Sequence, residues 1–292
     1  MRRNGDTNHW IPSGSLAVIC AALLWSTGGI GIKLAPLPAL AIVGGRAIVT
    51  VLFYLLFLRP NLRKASVLTA LAYAAMVISY VIATRMTTAA SAVVLQYTGT
   101  AWILLLGPLV LGERLERRDG LTGLICLAGM ALCLLDDAQG PAMTGNIIGA
   151  LSGVFYAATV LGMRRDATSG SRYDAQASTT IGNILAAAIA LPLAGWDLAA
   201  VATPKAFAIL LYLGLVQMGI AYLLFLRGLR SISAARASLF TLLEPALSPL
   251  WVAIFIGEMP GKWTTVGGAV VIVALATSAL WPTSKAAIAQ TG

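Results

Sequence analysis

Histidine occurs once in the 292 residues, at position 9, and Asp plus Glu together number eleven. A single histidine leaves no material for a His-based catalytic triad or a histidine-ligated zinc site. The three cysteines, Cys20, Cys126 and Cys133, form no C-x-x-C pair and fall inside apolar stretches. They therefore suggest neither a disulfide framework nor a metal centre. No G-x-x-x-x-G-K-[ST] loop is present, because Gly261-Lys262 lacks the earlier glycine and is followed by Trp263. Direct ATP-driven work by this chain is thereby set aside. Charged residues make up 11% of the chain, against about 25% in an average soluble domain. Such low charge with so much apolar content excludes a disordered chain, and no collagen or heptad period supports a fibre. No cofactor or metal is expected.

What the sequence has in abundance is apolar surface: 59% of its residues, against roughly 45–50% in soluble domains. A water-soluble core of this size does not absorb that much. Ten stretches reach the length of about 20 residues needed to cross the hydrocarbon layer: 14–34, 37–58, 65–84, 87–111, 120–136, 143–163, 176–195, 205–226, 231–256 and 263–282. Runs such as Val18–Leu24 and Val270–Ala276 do not alternate in and out, so membrane strands are excluded. The expected fold class is an all-α integral membrane protein with ten transmembrane helices. The first run is long enough to span and no A-x-A-like site follows it, so it reads as a first helix and not a cleaved signal. Arg2-Arg3 then reads as a topology determinant, and no C-terminal lipidation box is present.

The distribution of positive charge sets the expected orientation. With the N-terminus cytoplasmic, the inner segments hold 14 Lys and Arg and the outer loops hold four, with Arg46 and Arg236 inside spans. Both termini are therefore expected in the cytoplasm. The same arrangement accounts for the net charge of +9 by a lipid bilayer as partner, with no nucleic acid. Trp10, Trp196, Trp263 and Trp281 fall near span ends, as interfacial anchors do.

The two halves resemble each other. Leu95–Leu135 aligns with Phe240–Leu280 at an offset of 145 residues, placing Gly112-Glu113 on Gly257-Glu258 and Gly123 on Gly268. Earlier in each half the offset is 131, matching Trp25 to Tyr156, Gly31 to Gly162 and Lys33 to Arg164. Five spans per half means that the second enters the membrane upside down. The expected organisation is a cytoplasmic tail 1–13, a first repeat 14–138, a second, inverted repeat 139–284 and a tail 285–292. Inverted repeats place a solute site at their interface near the midplane, with alternating access by rocking of the halves.

Ionisable groups inside the membrane are costly and therefore suspects for function. Glu244 is the acidic residue at mid-span. It has several open roles: receiving a proton, accepting a substrate ammonium, pairing with Arg46 or Arg236, or fixing helix packing beside Pro245. Arg46 lies about nine residues into the second span after Gly44-Gly45, where its fork suits a carboxylate ligand. A structural ion pair or snorkelling is its other reading, and snorkelling is preferred for Arg236. Trp25 and its repeat partner Tyr156 join Tyr80, Gln96, Tyr97, Thr100, Trp102 and Gln217 as candidate walls of a cavity for an amphipathic solute. Buried amides such as Gln96 and Gln217 seek a partner or a wet cavity. Gly145, Gly149 and Gly153, spaced by four, mark one close-packing face of the sixth helix.

Together with the five-plus-five layout, three pieces are specific: Ala22-Leu23-Leu24-Trp25-Ser26, then Ala92-Val93-Val94-Leu95-Gln96-Tyr97-Thr98 with Gly112-Glu113-Arg114, then Leu242-Leu243-Glu244-Pro245 with Gly257-Glu258. In these the chain resembles the EamA-type, ten-helix branch of the drug/metabolite transporter superfamily, from about Gly14 to Trp281. The resemblance implies a multi-pass protein of a bacterial-type cytoplasmic (inner) membrane that moves small metabolites, commonly outward. Aromatic amino acid exporters of the branch are the nearest functional guess. A monomer suffices for this layout. Members often carry proline in the fourth helix where this chain has Thr100, while Pro245 is kept in the ninth. The ninth helix is therefore expected to bend more than the fourth. The rival readings are a multidrug or organic-cation exporter, a lipid flippase, a passive channel and, with least support, a membrane enzyme. A permanent cation wants an acidic residue without a basic neighbour, whereas an amino acid uses both Arg46 and Glu244.

Overall fold

The computed structural model describes residues 13–133, 135, 143–170, 172–195, 203–257 and 261–280. Trp10, Trp196, Trp281, His9, Glu258 and most of the two tails lie outside the described residues. All regular elements described are helices. The first span is α1 (Ser13–Trp25) with α2 (Gly28–Leu34), the second is α3 (Ala39–Phe53) with a π-turn Tyr54–Leu58, and the third is α4 (Val67–Met86). The fourth is α5 (Ala89–Tyr97) with α6 (Gly99–Leu111), and the fifth is α7 (Arg117–Cys133). In the second half come α8 (Met143–Thr168) and α9 (Ala175–Leu193). The eighth span is α10 (Pro204–Leu211) and α11 (Ala221–Leu229) joined by a π-helical stretch, Tyr212–Ile220. The ninth is α12 (Ala234–Thr241) with α13 (Leu243–Ile256), and the tenth is α14 (Lys262–Leu280). Eight of these spans are long and apolar enough to cross a membrane by length and composition alone. The other two are α7, whose first turn holds Arg117, Arg118 and Asp119, and α14.

Helix ends follow local chemistry. Ser66, Thr88, Thr203 and Ser233 each accept a hydrogen bond from a backbone N–H of the helix they precede, satisfying donors that the first turn leaves free. Gly112 and Gly257 end the fourth and ninth spans with φ of 67° and 79°, the left-handed cap that glycine adopts without strain. The repeated Gly-Glu pair thus marks a shared stop signal in the two halves.

Three spans are interrupted. The first breaks at Ser26-Thr27, whose hydroxyls donate back to Leu23 O and Leu24 O at 2.7 Å each. The fourth breaks at Thr98 and the ninth at Leu242, so both members of the repeat pair are interrupted within one residue of matching positions. An interruption at this place therefore needs no proline. The fourth breaks without proline, because the Thr98 hydroxyl bonds Leu95 O at 2.6 Å and Gly153 of α8 lies directly beneath. A Cβ at 153 would fall 2.9 Å from Leu95 O, Gln96 O and Thr98 Oγ1. Gly145 faces Met86 and Gly149 faces Leu95, which completes the close-packed face read from their spacing. Gly153→Ala is expected to cost about 1–3 kcal/mol through overpacking, read as a lower thermal midpoint in detergent. An unchanged midpoint would show that the break does not depend on this contact.

The π-helical stretch of the eighth span is held from the second. Thr50 Oγ1 bonds Gly214 O at 2.8 Å, and Tyr54 OH donates to Met218 O and Gly219 O at 3.2 and 3.0 Å. These bonds take up carbonyls that irregular backbone at membrane depth exposes. The same stretch carries Gln217 at its centre. α8 packs on α4, α5 and α6, whereas α7 packs mainly on α14. The seventh span, α9, packs on α3 and α4, so the first four spans meet the sixth to ninth where the two repeats cross.

Candidate functional site

Between the two repeats lies a small cavity of about 40 Å³. Its walls are Trp25 (α1), Arg46 (α3), Tyr80 (α4), Gln96 and Tyr97 (α5), Tyr156 (α8), Gln217 (π-stretch) and Glu244 (α13). These are eight of the ten residues singled out from sequence. Thr100 is fully buried and Trp102 is 46% exposed. Neither reaches the cavity, since Trp102 stands on the outer wall of the bundle. Arg236 lies over the Phe240 ring, 5.9 Å from its centroid, also away from the site.

Arg46 is 1% and Glu244 5% exposed. They face one space without touching. Arg46 Nη1 reaches Gln217 Oε1 at 3.5 Å, and Glu244 Oε2 accepts a 2.6 Å hydrogen bond from Tyr97 OH. Tyr156 OH shares a 2.7 Å bond with Thr241 Oγ1. Arg46 Nε, Trp25 Nε1 and Thr159 Oγ1 are buried without a hydrogen-bond partner, although all three residues line the cavity. A buried donor left unmade costs about 1–3 kcal/mol, so these groups are poised for an acceptor.

The apolar side of the site is aromatic. Trp25 meets Tyr222 edge-on at 4.8 Å and Phe225 at 5.1 Å, and Tyr97 meets Tyr156 at 5.0 Å. Sequence reading missed Tyr222 and Phe225, along with Met76, Thr159, Met163 and Met218. A helical phase drawn from Gln217 would have found Tyr222 only if the π-turns were known beforehand.

Outside the cavity, two sets of bonds tie the spans together. On the arginine-rich face, Glu113 Oε1 accepts from Arg164 Nε at 2.6 Å and its Oε2 accepts from Ala234 N at 2.9 Å. Arg164 Nη1 also donates to Leu229 O. This clamp joins the end of the fourth span to the sixth span and to the turn between the eighth and ninth. On the opposite face, Lys33 Nζ donates to Thr87 O at 2.8 Å, and Arg85 Nη2 donates to Leu37 O at 3.1 Å. Lys33 and Arg164 are partners in the sequence repeat. Each donates to a carbonyl before the fourth span of its own repeat, on opposite faces, as an inverted pair must. A pocket of about 40 Å³ holds water but is far below the roughly 300–1,000 Å³ of a ligand site. In this conformer the space has no room for a solute of that size.

Among the described residues there is no group of His, Cys, Asp and Glu suited to a metal. The comparisons with known proteins agree with the architecture. The model of the EamA-like transporter family matches residues 12–135 and again 143–280, once per repeat. A segment of 69 residues is 38% identical to an uncharacterized transporter, YwfM, of Bacillus subtilis (strain 168). That match spans 23% of either chain. A solved crystal structure superimposes with a TM-score of 0.69 over 91% of this chain and 96% of its own, at 20% identity, which speaks for the fold alone. The chain belongs to the EamA-like transporter family and has the build of a multi-pass membrane protein.

Proposed function

We propose that this transporter carries small zwitterionic, amphipathic metabolites, amino acids including aromatic ones, and that it exports them by alternating access around the central cavity. The observation that carries the reading is that Arg46 and Trp25, with free buried N–H donors, line one aromatic-walled space with Glu244. A guanidinium fork and an indole N–H match a carboxylate. A carboxylate and aromatic faces match an ammonium. Trp25, Tyr222 and Phe225 supply a flat apolar wall for the side chain. The skew of basic residues supports cytoplasmic termini in an inner-membrane setting, with the Glu113 clamp on the cytoplasmic face. An organic-cation exporter is the second reading, favoured by Glu244 beside Tyr97 and the aromatic walls. The buried Arg46 weighs against it.

Counterflow into proteoliposomes tests both. Preloading with unlabelled phenylalanine is expected to accelerate entry of labelled phenylalanine, and a quaternary ammonium is expected to compete poorly. Acceleration by the quaternary ammonium alone would establish the second reading and remove the first. Flux that neither saturates nor shows exchange would make the protein a channel.

Glu244→Gln provides a sharper check. It is expected to lower phenylalanine counterflow by roughly 10- to 100-fold, the worth of a hydrogen bond to a charged group. Counterflow of phenylpropionate, which has no ammonium, should change by much less. Equal loss for both solutes would assign Glu244 to packing beside Pro245.

A further inference from the structure

Two grooves open on the outer wall of the bundle, on either side of the same half-helix, α6. One runs between α6 and α7 and measures about 540 Å³. Its walls include Leu104, Leu105, Leu121 and Leu124, and it is closed at the arginine-rich face by Leu115 and Arg117. The other runs between α6, α8 and the start of α4 and measures about 420 Å³, with Trp102 and Arg165 in its lining. Each groove thus has arginine as its one charged lining residue, at the same end.

The two arginines differ. Arg165 is engaged: its Nη2 bonds Ser66 Oγ at 2.9 Å and approaches Asp166 Oδ1 at 3.5 Å, and it lies 5.5 Å from the Tyr173 ring centroid. Arg117 is exposed and makes no ion pair or hydrogen bond among the described residues. Its acidic neighbour Glu116 is already paired with Arg118 Nε at 2.7 Å. Leu105, Leu121 and Leu124 are each more than 60% exposed. In a membrane-spanning protein these faces meet acyl chains.

We propose that the groove between α6 and α7 is a binding site for an anionic glycerophospholipid. One acyl chain lies along the leucines and the headgroup phosphate sits on the Arg117 guanidinium. Basic pockets between spans favour anionic headgroups by this chemistry, and the guanidinium fork matches phosphate oxygens. The second groove, where Ser66 and Asp166 hold Arg165 Nη2 and its Nε is buried, takes chains without choosing a headgroup. The site does not depend on which solute the central cavity carries.

Native mass spectrometry of the purified full-length protein tests this, titrated with phosphatidylglycerol or phosphatidylcholine of matched chains. The wild type is expected to retain phosphatidylglycerol at least about fivefold over phosphatidylcholine. Arg117→Gln should erase that preference, Arg117→Lys should keep most of it, and Arg165→Gln should leave it unchanged. Leu124→Trp, which fills the groove, should reduce retention of both lipids. Equal retention of the two lipids by the wild type would overturn the assignment, as would a preference that survives Arg117→Gln or disappears with Arg165→Gln. A dimer mass that Leu124→Trp abolishes would also overturn it, because a second copy would then fill the groove.

Discussion

Replacing Arg46 with glutamine is expected to lower counterflow of a labelled aromatic amino acid by roughly 30- to 150-fold, corresponding to about 2–3 kcal/mol for a charged hydrogen bond. Arg46 is buried on the second span, its Nε has no partner, and its one recorded side-chain bond, to Gln217, is long at 3.5 Å. A guanidinium fully engaged in packing would show short bonds to all its edges. Glutamine keeps an amide near Gln217 but loses the charge and the fork, so binding of a carboxylate suffers most. Lysine restores charge without the planar fork and should recover only part of the flux. The readout that separates binding from folding is the solute: phenethylamine, which lacks the carboxylate and is a cation, should be carried by Arg46→Gln at least as well as by wild type. Equal losses for phenylalanine and phenethylamine, or no loss for either, would make Arg46 a structural residue of the second and eighth spans.

The spans were legible because hydropathy alone marks them, and the inversion was legible because five is odd and Lys33 and Arg164 carry the repeat. The closing glycines were legible too, since Gly112 and Gly257 stand at matching places and a left-handed cap selects that residue. The facing of each side chain was not. Trp25 lines the cavity and Trp102 faces outward, yet both sit mid-span among apolar neighbours. Hydropathy does not tell core from lipid, because acyl chains are as apolar as leucine. Tyr222 and Phe225 were hidden for a further reason. The π-helical stretch before them shifts the phase of the eighth span, and its cause is the Thr50 and Tyr54 hydroxyls on another helix. The break at Thr98 was likewise set from outside its own segment, by Gly153 packing against it. Long-range packing, absent from any local pattern, decided each of these.

Glu113→Ala is expected to shift the transporter toward the conformer open on the arginine-rich face by roughly 10- to 100-fold, the range for losing charge-assisted hydrogen bonds of about 1.5–3 kcal/mol. Glu113 binds Arg164 and the Ala234 N–H at once. It therefore ties the end of the fourth span in the first repeat to two elements of the second. Any motion that exposes the cavity on that side has to part those groups. Its side chain is only 19% exposed, so water replaces the lost bonds imperfectly until the clamp opens. The opposite face keeps its own bonds, Lys33 to Thr87 O and Arg85 to Leu37 O, and removing Glu113 leaves these intact. The bias thus has one direction. Thr159→Cys, in a background with Cys20, Cys126 and Cys133 changed to alanine, places a reporter thiol in the cavity. A membrane-impermeant maleimide added from the cytoplasmic side should label it at least tenfold faster when Glu113 is alanine. Added from the opposite side, it should label more slowly. Lys33→Ala should produce the reverse asymmetry. Transport should slow in both variants, because a carrier biased to either face spends less time returning. Labelling that is unchanged by Glu113→Ala would show that the clamp is not a barrier to opening. Acceleration from the opposite side would invert the orientation that the basic residues support.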